Sequence, residues 1–346
     1  MNFGHREKHE VAKAQEFRAR LLDWYDANAR DLPWRQRPGG RAERDPYPVW
    51  VSEIMLQQTR VAAVIAHYRE FLRRFPTVEK LAAARRSSVL AAWSGLGYYR
   101  RARMLHAAAK VVARKLRRKF PTTSDKWREL PGIGRYTSAA IASIAFGEAV
   151  AVVDGNVERV LQRFSGQRLA GQKIWNAANA LLDRDRPGDF NQAMMELGAT
   201  VCTPRAPGCL NCPVVELCAT RGELTGRTRE QRQKKKEIHY ALDYRDGSVF
   251  LVQRPSDASL MAGMWELPEI AAPGDHARAP LAVRHSITVT DYGVFVWRIP
   301  VAAEFRGRWI TKPSLSRVAL TGLARKILRK AEIMSSGLTV FSKSDG

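Results

Sequence analysis

Apolar residues recur along the chain with two different periods. From Glu16 to about Leu197, alanine-rich segments such as "RVAAVIAHYREFLRRF" place apolar side chains three or four positions apart, which is the spacing of one helical face. The helical segments are separated by helix-breaking residues, namely Pro76, Gly95, Gly97, Pro121 and Pro131. This pattern predicts a mainly α-helical N-terminal region.

The period changes after Tyr240. The segment "YALDYRDGSVFLVQRP" alternates apolar and polar residues about an Asp-Gly pair, which is typical of a β-hairpin. The segment "SITVTDYGVFVWRIP" also has the pattern of a strand, whereas "LSRVALTGLARKILRK" returns to helical spacing. The sequence therefore predicts a smaller α/β domain at 240–334, preceded by a basic linker at 223–239 and followed by a tail at 335–346.

The chain of 346 residues carries 57 lysines and arginines against 34 acids, a formal net charge of +23. This balance indicates a polyanionic partner and favours nucleic acid, while charge alone leaves a ribosomal or membrane surface open. The N-terminal segment mixes acids and bases and has no apolar run of the kind found in signal peptides. We expect a cytoplasmic, nucleoid-associated protein without a membrane partner.

Basic residues are most concentrated between Tyr98 and Phe120, where nine lysines or arginines occur without an acid. Such a stretch either follows DNA phosphates or forms a solvated helix face, and both interpretations stay open. The three lysines at 234–236 are assigned to the solvated linker.

The four cysteines of the chain have the spacing C-x6-C-x2-C-x5-C and are Cys202, Cys209, Cys212 and Cys218. Four thiols within so short a segment indicate one shared metal centre. Structural zinc usually takes two C-x(2–4)-C pairs, and only one such pair is present here. The spacing therefore favours a [4Fe–4S] cluster, with zinc as the alternative.

A glycine-rich turn precedes a helical segment in "LPGIGRYTSAAIASIAFGEAVAVVDGN". Gly132 and Gly134 can adopt the positive φ angles of a tight turn, and the next helix is expected to begin near Arg135 or Tyr136. The free N–H groups of that helix would suit a DNA phosphate. The alternative is a turn between two helices that binds no ligand.

Two carboxyl groups are candidates for acid–base chemistry. Asp154 stands where a helix should begin, so it is either an N-cap, a catalytic carboxylate or both. Glu53 has apolar neighbours that would raise its pKa, although an acid in the first turn of a helix is an alternative explanation. One protonated and one ionised carboxyl group are what cleavage of an N-glycosidic bond requires.

Several motifs together resemble a known family. "LPGIGRYTSAAI" followed by "VDGNVERVL" resembles the helix-hairpin-helix and Gly/Pro…Asp signature of base-excision DNA glycosylases. "SEIMLQQTRV", "GLGYYRRARML", "FNQAMMELGATVC" and the cysteine spacing resemble the adenine DNA glycosylases of the MutY type. The resemblance extends from Leu21 to Cys218. It implies a monomeric helix-hairpin-helix glycosylase that removes adenine mispaired with 8-oxoguanine from double-stranded DNA.

The resemblance also implies roles for individual residues. Glu53 would protonate the adenine and help activate water, and Asp154 would stabilise the positively charged sugar, assisted by Tyr136 and Asn156. Further residues match the adenine pocket, namely Arg30, Trp34 and Glu196. Gln57 and Tyr98 match residues that enter the base stack while the adenine is flipped out. Trp34 and Tyr98 have core packing as an alternative, and Tyr99 competes with Tyr98.

Tyr136 separates this chain from close relatives. The endonuclease III branch carries a lysine at this position, whose amine forms a Schiff base and drives strand cleavage. A tyrosine cannot do so, so we expect base excision without an efficient lyase step.

The C-terminal domain departs from the family in part. "VFLVQRPSDASLMAGMWELPE" resembles the start of the Nudix-like domain of MutY proteins, but no Nudix box of catalytic glutamates follows. The family's 8-oxoguanine reader resembles H-x-F-S-H, whereas this chain has "RHSITVTDY". Thr288 can offer a hydroxyl group to the lesion, and His285 is either part of the reader or a structural histidine.

These expectations combine into one organisation. A helical catalytic region at 1–222 contains a six-helix barrel at about 45–150 and an iron–sulfur module at about 16–44 and 151–222. Two alternatives stay open for the function. One is a mismatch or damage glycosylase of relaxed specificity, and the other is a non-catalytic DNA-binding protein stapled by metal.

Overall fold

The computed structural model describes residues 3–35, 44–224, 234–255, 257–258, 261–273, 281–287 and 290–334. The chain divides into two compact units. The first comprises Met1–Val61, Thr77–Glu79 and Ala107–Arg227, and the second comprises Ala62–Pro76, Lys80–His106 and Thr228–Gly346.

The described residues up to Thr200 are mainly helical, as the apolar spacing predicts. The helices are α1 Phe3–Asn28, α2 Pro46–Leu56, α3 Val61–Arg74, α4 Val78–Ala83, α5 Arg86–Trp93, α6 Arg100–Lys110, α7 Ser124–Arg128, α8 Arg135–Phe146, α9 Gly155–Ser165, α10 Gln172–Leu181 and α11 Pro187–Thr200. One π-helical turn, Val111–Lys115, continues α6. A short 3-10 helix, Cys209–Asn211, lies in the cysteine segment.

In the first unit, α1, α8, α9, α10 and α11 share one apolar core. The ring of Phe17 from α1 lies between Phe164, at a centroid distance of 4.7 Å, and Phe190, at 6.3 Å. Met194 and Leu197 of α11 are buried in the same core. The core therefore fixes α9 and α11 against each other, and these are the helices that carry Asp154 and Glu196 into the site.

In the second unit, the described residues after 233 form two sheets, one α-helix and one 3-10 helix, which confirms the predicted change of period. The elements are β1 Lys234–Ala241, β2 Tyr244–Arg245, β3 Ser248–Gln253, β4 Trp265–Glu266, β5 Glu269–Ile270, β6 Leu281–Ile287, β7 Thr290–Trp297, β8 Gly307–Thr311 and α12 Gly322–Lys330. One sheet has the order β5-β1-β7-β6, in which β1 runs parallel to β7. The other has the order β2-β3-β4, with β8 also paired to β3.

The predicted Asp-Gly hairpin is present between β2 and β3. Asp246 has φ 48° and Gly247 has φ 71°, the two positive values that a type I′ turn requires. α12 begins only at Gly322, where the hydroxyl group of Thr321 accepts a hydrogen bond from the N–H of Ala324. The helical spacing before Thr321 is interrupted by a 3-10 helix, Lys312–Arg317.

One prediction from composition was wrong. Lys234, Lys235 and Lys236, assigned to the linker, begin β1 and pair with Thr290, Asp291 and Tyr292 of β7. Pairing with β7 satisfies the backbone hydrogen-bonding groups of these lysines, whichever side chains they carry. Amino-acid composition does not predict this backbone pairing. Among the described helices, none is both long and apolar enough to cross a bilayer.

Candidate active site

The glycine turn joins α7 to α8 and forms a helix-hairpin-helix. Gly132 has φ 77°, a value that favours glycine, whereas Gly134 has φ −94° and ψ 177°. The expectation that both glycines need positive φ is thus wrong for Gly134, which is the extended N-cap of α8. Because Gly134 has no side chain, it leaves the first turn of the helix open. α8 begins at Arg135, as predicted.

Glu148 fixes the opening of this hairpin. Its carboxylate accepts hydrogen bonds from the backbone N–H of Ser124 at 2.6 Å and from the hydroxyl group of Ser124 at 3.1 Å. The start of α7 is therefore tied to the segment that follows α8.

Tyr136, the second residue of α8, reaches Glu53 of α2. Its hydroxyl group donates a hydrogen bond to Oε2 of Glu53 at 2.8 Å. Glu53 is buried in the last half of α2, so the interpretation as an acid in the first helical turn is wrong. Burial raises the pKa of Glu53 to about 7, with a further increase from the charge of Asp154 and opposing effects from Tyr136 and Arg35. Glu53 can therefore hold a proton near neutral pH.

Asp154 is the N-cap of α9, which confirms that interpretation. One carboxylate oxygen accepts hydrogen bonds from the backbone N–H groups of Asn156 at 2.9 Å and Val157 at 2.8 Å. The other accepts from the side-chain amide of Asn156 at 2.9 Å. The charge of Asp154 raises the pKa of Glu53.

Arg159 was not identified from the sequence, yet it supports this cap. Its guanidinium group donates to Oδ1 of Asn156 at 2.8 Å and to the backbone carbonyl oxygens of Cys202 and Gly198, both at 2.7 Å. Arginine spaced three residues after Asn156 on a helix is a weak signal, because it also suits a solvated face. The structure shows that it joins the cysteine segment to the cap that holds Asp154.

Glu196 and Arg30, which the resemblance assigns to one pocket, are in contact. The Glu196 carboxylate, 1% exposed, accepts from Nε of Arg30 at 2.5 Å and from a terminal nitrogen at 2.8 Å. Arg35, which was not identified from the sequence, donates to the same carboxylate at 2.8 Å. Burial raises the pKa of Glu196, but the hydrogen bonds from Arg30 and Arg35 outweigh it and leave the pKa below its ordinary value. Glu196 is therefore held ionised.

Trp34 and Gln57 lie in the same compact unit as this site. Trp34 is half-buried. Gln57 ends α2, and its side-chain amide donates to the hydroxyl group of Thr137 in α8 at 3.0 Å.

The two adjacent tyrosines of the second unit differ sharply. Tyr98 is 48% exposed, has a positive φ of 47°, and lies 5.4 Å from the guanidinium carbon of Arg101. Tyr99 is buried, and its hydroxyl group donates to the carbonyl oxygen of Leu320 at 3.0 Å. Tyr98 thus projects into solvent while Tyr99 is part of a core.

The four cysteines are half-buried and unpaired. Burial raises the pKa of Cys212 to about 11, and the charges of Cys202, Cys218 and Cys209 contribute. Arg163 contacts two of the thiols: it donates to Sγ of Cys202 at 3.4 Å, and its carbonyl oxygen accepts from Sγ of Cys218 at 3.4 Å. In the described part of the chain, however, no three His, Cys, Asp or Glu side chains are grouped tightly enough for a single metal ion. Tetrahedral coordination of one ion with bonds of about 2.3 Å would require sulfur atoms about 3.8 Å apart.

Thr288 lies outside the described residues. His285 belongs to β6, where it pairs with Tyr292 of β7. Burial and the nearby charge of Lys326 lower the pKa of His285, so it is uncharged at neutral pH.

Comparisons with known proteins agree with this geometry. Residues 51–177 match the HhH-GPD superfamily of base excision DNA repair proteins. A solved thermostable thymine-DNA glycosylase superposes with a TM-score of 0.55 at 30% identity, over 61% of this chain and 97% of that one. A non-covalent endonuclease III–DNA complex, with a TM-score of 0.50 at 22% identity over 60% of this chain and 96% of that one, shares the fold.

Curated relatives extend the match beyond the helices. The human adenine DNA glycosylase is 35% identical over 96% of this chain and 77% of its own length. The Arabidopsis thaliana enzyme is 40% identical over 75% of this chain and 48% of its own length. These matches leave no support for a non-catalytic DNA-binding module. The chain belongs to the adenine DNA glycosylase family, within the HhH-GPD superfamily.

Proposed function

We propose that this protein hydrolyses the N-glycosidic bond of adenine mispaired with 8-oxoguanine or guanine in duplex DNA. The proposal depends above all on one observation. Glu53, whose pKa is raised to about 7, shares a site with Asp154, whose carboxylate is oriented by three hydrogen bonds from Asn156 and Val157. A carboxyl group that can hold a proton, beside an oriented second carboxylate, suits the departure of a base from a sugar.

The mechanism follows from these two environments. Neutral Glu53 donates its proton to the departing adenine. Without this proton, adenine would have to depart as an anion, which is a poor leaving group. Ionised Asp154 stabilises the positive charge that develops on the sugar. Glu53, now ionised, then accepts a proton from the attacking water. Tyr136 has no amine to form a Schiff base, so the product is an abasic site and the DNA strand stays intact.

Other residues bind the substrate. Arg30, Trp34 and Glu196 line the adenine pocket, where Glu196 is fixed by two arginines and accepts from the base. Gln57 and Tyr98 enter the base stack, and the exposure of Tyr98 favours it over Tyr99 for this role. The turn at Gly132 and Gly134 contacts a phosphate of the DNA strand.

The four thiols fit a [4Fe–4S] cluster better than a zinc ion. The thiols of Cys202 and Cys218 both contact Arg163, yet among the described residues no three are gathered tightly enough for a single ion, and a cluster binds each thiolate at a different iron atom. The cysteines that would hold it are Cys202, Cys209, Cys212 and Cys218. When bound, the cluster cross-links the segment after α11, a structural contribution that requires no redox step.

The C-terminal region acts in this proposal as a Nudix-like reader of the base opposite adenine, with Thr288 as a hydrogen-bond partner of 8-oxoguanine. The protein works on DNA as a monomer. A cytoplasmic, nucleoid-associated location suits this role.

The test is single-turnover cleavage of labelled duplexes with adenine opposite either 8-oxoguanine or guanine, each with and without hot alkali. We expect alkali-dependent breaks that form much faster opposite 8-oxoguanine. Equal rates would retain the chemistry and support a glycosylase of relaxed specificity. Breaks without alkali would contradict the monofunctional mechanism, and no breaks from the metal-loaded protein would refute the proposed reaction.

A further inference from the structure

The hydroxyl group of Tyr136 faces two acceptors. It lies 2.8 Å from Oε2 of Glu53 and 3.3 Å from the sulfur atom of Met195 on α11. A phenol has one proton and can donate it to only one partner at a time. The choice between the carboxylate and the thioether therefore depends on the protonation state of Glu53.

The two states of Glu53 make different demands on Tyr136. An ionised Glu53 only accepts, so it takes the hydrogen bond from the phenol. A protonated Glu53 brings a proton of its own, which it can donate to the phenolic oxygen. The phenol then needs another acceptor for its proton, and the Met195 sulfur lies within reach, because thioether sulfur is a weak acceptor.

We infer that Met195 is a positioning residue, which accepts the Tyr136 hydrogen bond while Glu53 is protonated and so stabilises the acid form of Glu53. The reaction needs that form, so the inference deepens the proposed function and its catalytic relevance rests on it. Without the sulfur, a phenol that accepts the hydrogen bond of protonated Glu53 would have no acceptor at this position for its own proton, in a buried site.

Among the described residues, the other groups that act on Glu53 are charged or titratable. They are Asp154 at the start of α9, Tyr136 on α8 and Arg35 from the segment before α2, and the charge of Arg35 is itself held by Glu196. Met195 carries no charge. Its replacement by leucine therefore keeps the charges of Asp154 and Arg35 and removes the sulfur acceptor, so the change in the Glu53 pKa is not a change in charge.

The experiment is a pH titration of the Glu53 carboxyl carbon by NMR in protein labelled with ¹³C at the glutamate side-chain carboxyl, with Glu53→Gln to assign the signal. We expect Met195→Leu to lower the Glu53 pKa by roughly half a unit, the equivalent of a weak hydrogen bond. Met194→Leu is the matched control, because Met194 is the adjacent, fully buried core residue. The pKa of Glu53 in Met194→Leu should equal its pKa in the wild type.

A second variant tests the chemistry of the acceptor. Met195→Gln keeps the length of the side chain and supplies an amide oxygen, so it should return the pKa to the wild-type value or above. An unchanged pKa in Met195→Leu, or equal pKa values in the leucine and glutamine variants, would overturn the inference. Neither measurement uses substrate, so absence of adenine release would refute the proposed function while leaving this test intact.

The same variants extend to the reaction. The pH at which the single-turnover rate of adenine release declines should move down with the pKa in Met195→Leu and recover in Met195→Gln. A merely structural role would lower the rate by one factor at every pH.

Discussion

The guanidinium group of Arg159 donates to the backbone carbonyl oxygen of Cys202 at 2.7 Å while it also donates to the side-chain oxygen of Asn156 at 2.8 Å. Asn156 in turn donates its amide to Asp154 at 2.9 Å. The position of the cysteine segment and the orientation of the Asp154 carboxylate are therefore linked through a single arginine.

Arg159→Lys should slow adenine release by roughly ten- to a hundred-fold, because a lysine cannot make these planar contacts together and the Asp154 cap loses its support. The measurement is the single-turnover rate, with iron content determined in parallel. The exposed Arg184→Lys serves as control. A wild-type rate in Arg159→Lys would show that Asn156 holds Asp154 without help.

Glu53→Gln should abolish adenine release and change how stability depends on pH. The folded-state pKa of Glu53 is about 7, against an ordinary 4.5, so the folded protein binds this proton more tightly than the unfolded chain. The associated stability is present at acidic pH and is lost as pH rises through 7. Glutamine cannot ionise. Between pH 5 and pH 8.5, the free energy of unfolding of the variant should therefore increase by about 2 to 3 kcal/mol relative to that of the wild type.

Urea unfolding at the two pH values measures this gain. The exposed Glu304→Gln should show no such difference. If the free energies of unfolding of Glu53→Gln and wild type differed by the same amount at both pH values, Glu53 would ionise in the folded state as it does in the unfolded chain.

Glu196→Gln should destabilise the protein by about 2 to 3 kcal/mol at neutral pH, because it removes the carboxylate that Arg30 and Arg35 share. The pKa of Glu196 is lower in the folded protein than its ordinary value, so the ionised carboxylate stabilises the fold at neutral pH. This stabilisation is lost as the pH falls below 4.5 and through the lowered pKa. Thermal unfolding of wild type and Glu196→Gln at pH 7 and pH 4 checks this. The Tm values of the two proteins should differ less at pH 4 than at pH 7. An equal difference at both values would contradict the prediction.

Gly198→Ala should impair adenine release more than its effect on stability explains. A Cβ atom at Gly198 would lie 2.6 Å from the Cβ of Asn156 and 2.9 Å from its carbonyl oxygen, so α9 must move with the Asp154 cap. Gly188→Ala is a matched control on the same helix, since its Cβ would lie 2.6 Å from the carbonyl oxygen of Ser143. Both variants should lower Tm, whereas only Gly198→Ala should show a reduced rate per folded molecule.

Protein purified without oxygen should contain about four iron atoms per chain. Cys212→Ser should lose iron and lower Tm, because the thiolate is replaced by a poorer ligand. One zinc ion per chain, in place of iron, would refute the assignment of the cluster.

Features that depend on neighbouring residues were predictable from the sequence. The Asp246–Gly247 turn, the start of α8 at Arg135 and the N-cap Asp154 all follow from preferences within a few positions. The apolar neighbours of Glu53 likewise indicated its raised pKa. These features could be predicted because backbone sterics and local hydrogen bonds depend only on residues a few positions apart in the sequence.

Tertiary structure alone decided which distant groups support the site. Arg35 meets Glu196 across 161 positions of sequence, and Arg159 meets Cys202 across 43, so no local pattern reports either contact. Gly198 and Met195 are ordinary helix residues until α11 packs against the start of α9 and against Tyr136. The sequence by itself determined the chemical groups and the local turns that present them. Packing determined their partners, because burial and hydrogen-bond geometry exist only once the helices are in contact.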